Sequence, residues 1–169
     1  MDALVSAISA SKYDLKEMGT DNSPFIDIAA KEFQSFFSKL NPLKKDYLVH
    51  KLYEQLGDCL SQIVSWCMVE GFSRIKKCTN EGRACMQLDA NLLLATIEKL
   101  SERKYANHQI FVQEYIKAYY LQEHEVENWV KSHRTIYTIK QLSQLVQLLM
   151  QAIPSSNKKL RLKYQQVNF

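Results

Sequence analysis

The 169-residue chain is 46% hydrophobic and 24% charged, with four Gly, three Pro and a formal net charge of +4. These proportions exclude a disordered or fibrous chain, and so few turn residues exclude a many-stranded β protein, which leaves one helical domain over residues 1–169. No apolar run approaches the ~20 residues that span a bilayer, so any membrane contact is expected to be peripheral.

The first segment repeats Leu4, Ile8, Ser11 and Leu15 at helical spacing and ends at Gly19, which predicts a helix followed by a polar linker, Gly19 to Pro24. Pro24 suits a first helical position with Ser23 as its cap, and Phe25, Ile28, Ala29, Phe33, Phe36, Phe37 and Leu40 form a broad apolar stripe ended by Asn41 and Pro42. From Lys44 to about Lys77 there is no proline and two apolar edges run together. One is Leu48, Leu52, Leu56, Cys59 and Ile63, the other Val49, Tyr53, Leu60, Val64 and Met68. A helix apolar on two sides is expected in the middle of a bundle.

Asn80 to Gly82 reads as the next break, with Asp89 placed to cap a helix carrying Leu92, Leu93, Ile97 and Leu100. Phe111, Val112, Tyr115, Ile116, Tyr119 and Tyr120 predict a second central helix. Glu123 to His133 predicts a polar helix with one buried edge, Val126, Trp129 and Val130. Thr138 followed by Gln141 is a capping-box pattern before Ile139, Leu142, Leu145, Val146 and Leu149, a helix closed by Pro154. A short terminal helix capped by Ser155 or Ser156 is expected in the tail. The fold class is therefore all-α, an antiparallel bundle of about seven helices.

Catalytic and cofactor signatures are lacking. His50, His108, His124 and His133 stand far apart, and Cys59, Cys67, Cys78 and Cys85 form no CxxC pair, so no metal site is expected and the cysteines read as small core residues of a reducing cytosol. Gly19, Gly57, Gly71 and Gly82 are isolated from one another, which excludes a phosphate-cradling glycine loop. No nucleophile stands in a known elbow or Cys/His signature, so no catalytic residue and no cofactor is expected. Glu123, Glu125 and Glu127 fall where a helix dipole favours negative charge, and Tyr115, Tyr119, Tyr120 and Trp129 read as core at helical spacing, with a partner hot spot as the alternative.

Charge is unevenly placed. Residues 154–169 carry Lys158, Lys159, Arg161 and Lys163 with no acidic residue, while the rest of the chain balances. A nucleic-acid binder spreads its basic residues over a face of the fold, so nucleic acid is not expected. The tail cluster reads as attraction to anionic lipid or as a solvated end. Arg74, Lys76, Lys77 and Arg83 surround the expected break and read as an anion-accepting corner or as a charged helix end.

The segments Glu70-Gly71-Phe72, Lys76 to Ala84 and Met86 to Asp89 resemble a signature stretch of the syndetin family. The run Phe111 to Leu121, then Trp129, Lys131, His133 and Arg134, then Lys140-Gln141-Leu142 and Asn157-Lys158-Lys159, is similar to the same family, so that residues 70–160 or so agree in register. The resemblance implies the C-terminal bundle of a much larger subunit with the helical-rod, CATCHR-type fold of tethering complexes. It further implies a non-enzymatic interaction domain of the endosome-associated recycling protein complex, cytosolic and peripheral on recycling endosome and trans-Golgi membranes. The partners it implies are other tether subunits, SNAREs or small GTPases. A peripheral module binding anionic lipid through basic residues is the alternative, as is the equivalent domain of another tethering subunit.

Overall fold

The fold is given by a computed structural model, which describes residues 2–17, 19, 21–42, 47–122 and 124–152. Among them are seven α-helices and no strand: α1 (Asp2–Ala10), α2 (Pro24–Leu40), α3 (Tyr47–Ser73), α4 (Asn80–Ser101), α5 (Ala106–Lys117), α6 (Val126–His133) and α7 (Ile139–Ala152). A 3-10 turn, Ala118–Tyr120, extends α5. Pro154, the expected terminal helix and the basic tail with Lys158, Lys159, Arg161 and Lys163 lie outside the described residues.

Helix α3 is the axis of the bundle and packs against α1, α4, α5 and α7, while α2 lies on α4. Short connections, residues 74–79 and 102–105, turn the chain back on itself between α3, α4 and α5, the economical way to bury neighbouring apolar stripes. The centre is filled by Met68 and Phe72 of α3, Met86, Leu93 and Ile97 of α4, Tyr115 and Ile116 of α5, and Leu142 and Leu145 of α7, all essentially inaccessible to water. Each such side chain contributes about 1.5–3 kcal/mol of transfer free energy.

Local signals account for several ends. Thr138 and Gln141 form the predicted box: Thr138 N–H donates to Gln141 Oε1 (3.0 Å) and Gln141 N–H to Thr138 Oγ1 (3.2 Å). Thr79 caps α4 by accepting from Gly82 N–H at 3.1 Å, and Glu102, in the left-handed region at φ 58°, closes it.

Four expectations are corrected. The first helix stops at Ala10 instead of running to Gly19, because the backbone of Tyr13 and Leu15 bonds to Thr79, 66 and 64 positions away. Asn80 to Gly82 is the first turn of α4, and the break falls at residues 74–79. Asp89 caps nothing: it sits inside α4, fully buried, and takes Ser23, whose own side chain makes no helix cap.

The fourth correction concerns α3, whose two apolar edges part company. Tyr53, Val64 and Met68 are sealed, but Leu52 and Ile63 are 53% and 42% exposed and Cys59 is exposed as well. Only the last seven residues of α3 are central on all sides, from Cys67 to Ser73. The apolar stripe of α2 divides likewise, with Phe25 and Phe37 buried and Ile28 and Phe36 exposed.

Candidate functional site

The connection 74–79 is held against the stretch 11–15 by a compact set of bonds. Thr79 N–H donates to the Tyr13 carbonyl (3.0 Å), Thr79 Oγ1 donates to the Leu15 carbonyl (2.8 Å), and Leu15 N–H returns a bond to Thr79 Oγ1 (3.2 Å). Glycine is required at position 82 because a Cβ there would strike the Tyr13 carbonyl. Beneath, the Tyr13 ring meets Phe72 edge-on (5.8 Å between centroids), and its hydroxyl donates to Asp89 Oδ2 at 2.8 Å. Ser23 adds two bonds to that carboxylate, N–H to Oδ1 (2.8 Å) and Oγ to Oδ2 (2.6 Å). Asp89 thereby fastens both ends of the segment joining α1 to α2. Burial, reinforced by the Asp89 charge, pushes the Tyr13 phenol far above its ordinary pKa.

This clamp brings Lys12 to the basic corner. An open concavity of about 550 Å³ is lined by Lys12, Tyr13, Asp14, Arg74, Ile75, Lys76 and Lys77, together with Ser9 and Ser11. The four basic residues expected to share a corner divide between two depressions. Arg74, Lys76 and Lys77 line the first, whereas Arg83 lines a second of about 400 Å³ with Lys77, Asp14, Cys78, Leu148, Leu149 and Gln151. Lys77 borders both.

Their electrostatic states differ. Arg74 donates from Nε (3.0 Å) and Nη2 (2.8 Å) to Glu70 Oε1, a carboxylate whose side chain is only 8% exposed. The same carboxylate receives Gln141 Nε2 at 3.1 Å, tying α3 to α7. Arg83 lies over the Tyr120 ring at 5.0 Å and bonds Asn80 Oδ1 at 3.2 Å. Lys12, Lys76 and Lys77 have no carboxylate partner among the described residues.

A second surface runs along α3. Leu52, Leu56, Cys59, Ile63 and Trp66 recur at helical spacing on its outer side, Trp66 being 39% exposed. Beside them Lys51, Glu54, Asp58 and Arg103 rim a depression of about 600 Å³, with Arg103 Nη1 on Glu54 Oε2 at 3.0 Å.

The aromatic group expected in the core is mostly there: Tyr115 and Tyr119 are buried, with hydroxyls donating to the carbonyls of Gln141 (3.0 Å) and Phe72 (3.2 Å). Tyr120 is exposed, and Trp129 is half-buried, stacked on His133 at 4.1 Å. Of the cysteines only Cys67 is buried. Among the described residues no three His, Cys, Asp or Glu side chains are grouped to hold a metal, and no helix is long and apolar enough to cross a membrane. Lys12 was not singled out by sequence, and Asp89, read there as a helix cap, and Glu70, noted there only within the family-like stretch, take their long-range partners from residues far away in the chain.

The family model for the C-terminal domain of syndetin matches residues 1–166. The chain belongs to this family. The match reaches back to residue 1, so the segment before residue 70 is part of the same family domain. Syndetin of Gallus gallus is 37% identical over 153 residues, and those of Mus musculus and Rattus norvegicus are 38% identical over the same length. Each alignment covers 90% of this chain but 16% of the relative, so the chain spans about a sixth of the length of the curated relatives it matches. No solved structure matches it.

Proposed function

We propose that the chain is a non-enzymatic docking domain of a vesicle-tethering subunit, working in endosomal recycling and retrograde traffic at the cytosolic surface of recycling endosome and trans-Golgi membranes. Membership of the syndetin family supports the tethering role. The observation that carries the docking role is the outer edge of α3, where Leu52, Cys59, Ile63 and Trp66 stand exposed on a helix whose opposite edge is sealed into the core. With the half-buried Leu56 between Leu52 and Cys59, these residues follow successive steps of four and three, the spacing of the seam one helix presents to another. Mixed charges at its border, Lys51, Asp58 and the Arg103–Glu54 pair, favour one orientation of the incoming helix. The occupant we assign is an amphipathic helix of another subunit of the tethering complex. SNAREs and small GTPases are further partners for the assembled tether.

The test is association of the chain with the purified remaining subunits, measured for wild type, Ile63→Glu and Trp66→Ala. Both positions are partly exposed, and circular dichroism of each variant checks that the fold is kept. Binding by wild type with a loss of tenfold or more in either variant is expected for a central apolar anchor, about 1.4 kcal/mol. Unchanged binding in both variants rules out the α3 seam, and no association by wild type rules out the docking role.

A further inference from the structure

We infer that the concavity between the α1–α2 segment and the α3–α4 connection is a binding site for a phosphomonoester, with Lys12, Lys76 and Lys77 as its ligands. Three observations lead there. First, these three lysines come from two segments more than sixty positions apart and are among the residues that line one depression of about 550 Å³, a volume that admits a small phosphorylated headgroup. Secondly, none of the three has a carboxylate partner among the described residues, whereas the neighbouring Arg74 is neutralised by Glu70. The wall also carries Asp14, so the unpaired balance of the depression is three cations against one anion. Thirdly, the wall that brings Lys12 into place is not loose. It is fixed by the bonds of Thr79 to Tyr13 and Leu15 and by Tyr13 on the buried Asp89 carboxylate.

Like charges held together in a folded state repel, and bringing them to one depression makes sense when a dense anion joins them. A phosphomonoester carries close to two negative charges and three acceptor oxygens at neutral pH, enough to receive three ammonium donors at once. A single carboxylate carries one charge and two oxygens and satisfies fewer. The ligand chemistry is therefore a phosphate ester displayed in a shallow open site, available either on a phosphoinositide headgroup at a membrane or on a soluble inositol phosphate. This site is independent of the α3 seam, which lies on α3 itself and is apolar.

The experiment compares sedimentation of the 169-residue chain with phosphatidylcholine vesicles containing phosphatidylinositol monophosphate, phosphatidylserine at equal surface charge, or neither, at physiological salt. The variants are Lys76→Gln/Lys77→Gln, Lys12→Gln, and Lys131→Gln as a lysine on α6 already paired with Glu127. Binding to the phosphoinositide vesicles in preference to the other two is expected, falling about fivefold per cradle lysine and on the order of 25-fold for the pair, with Lys131→Gln unchanged. Soluble inositol phosphate distinguishes the sources: displacement of the chain from vesicles with direct binding in solution assigns the headgroup itself, and either vesicle or soluble binding with this lysine dependence supports the site. Equal binding to phosphatidylserine, equal loss in Lys131→Gln, or equal binding of an acidic peptide through the same lysines overturns it. Loss on changing Lys158, Lys159, Arg161 and Lys163 to Gln with no loss in Lys76→Gln/Lys77→Gln also overturns it, by moving the interaction to the tail.

Discussion

Replacing Asp89 by Ala tests whether one buried carboxylate holds the α1–α2 segment to the bundle. The side chain is fully inaccessible and accepts three short bonds, from Tyr13 Oη (2.8 Å), Ser23 N (2.8 Å) and Ser23 Oγ (2.6 Å), beside a long, weak one from Cys85 Sγ (4.0 Å). A hydrogen bond to a charged group contributes about 1.5–3 kcal/mol net, and the replacement also leaves three buried donors without an acceptor. Allowing for rearrangement of this surface segment, the loss should be about 4 kcal/mol, a large part of the roughly 5–15 kcal/mol that stabilises a typical domain. Asp89→Asn keeps the shape and one acceptor oxygen but turns an amide NH2 towards the donors, so about 1–2 kcal/mol is expected. Urea unfolding followed by circular dichroism measures both. A double-mutant cycle with Tyr13→Phe isolates the bond: in the Asp89→Ala background the phenol is already orphaned, so removing it should cost nothing more and recover some stability. A loss below about 1 kcal/mol for Asp89→Ala, or simple additivity in the cycle, would refute the anchoring argument.

Gly82→Ala places a methyl group against the Tyr13 carbonyl; although alanine is the better helix former, the variant should be destabilised by about 2 kcal/mol or more, and a gain in Tm would contradict the close approach. Thr138→Ala removes the capping box of α7 and should cost about 1 kcal/mol in the same unfolding assay, with Thr138→Ser restoring most of it. Burial pushes the phenols of Tyr13, Tyr115, Tyr119 and Tyr137 upward from 10.0, and the Cys78 thiol from 9.0 to about 11. Because the folded state keeps protons that the unfolded chain releases, this contribution is complete below about pH 9. Above it stability falls, first through Cys78 and then, beyond pH 10, through the tyrosines, at up to about 1.4 kcal/mol per pH unit for each group. Flat stability from pH 8.5 to 11 would show these groups to be exposed to water in solution.

What the sequence disclosed was what neighbouring residues decide among themselves. Pro24 at the start of α2, the Thr138–Gln141 box and the alternation of apolar residues around Tyr115 all act within one or two turns, so spacing alone reveals them. Asp89 has the composition of a cap and the position of one, yet its partners Tyr13 and Ser23 lie 76 and 66 positions back, and no local pattern encodes them. The same holds for α1, whose apolar spacing continues to Leu15 while Thr79 claims the backbone of Tyr13 and Leu15. Leu52 failed for a different reason. A second apolar edge on a helix looks the same whether its cover comes from this chain or from another, so α3 was expected to be enclosed along its whole length.

The basic corner, like the Asp89 clamp, is assembled by contacts from far along the chain, so anchoring and charge predict opposite signs in one measurement. Arg74, Lys76, Lys77 and Arg83 were visible as a local run, but Arg83 is spent on tyrosine faces and Lys12 arrives only because residues 11–15 are clamped to Thr79 and, through Tyr13, to Asp89. Asp89→Ala raises the net charge by one. If anion binding followed charge alone, that variant would bind phosphoinositide vesicles more tightly than wild type, and more so at low salt. If the site is a built one, releasing Tyr13 frees the wall that carries Lys12, and binding should fall towards the level of Lys12→Gln, about fivefold, without any ligand residue having been touched. Tighter binding by Asp89→Ala would reduce the concavity to a patch of surface charge.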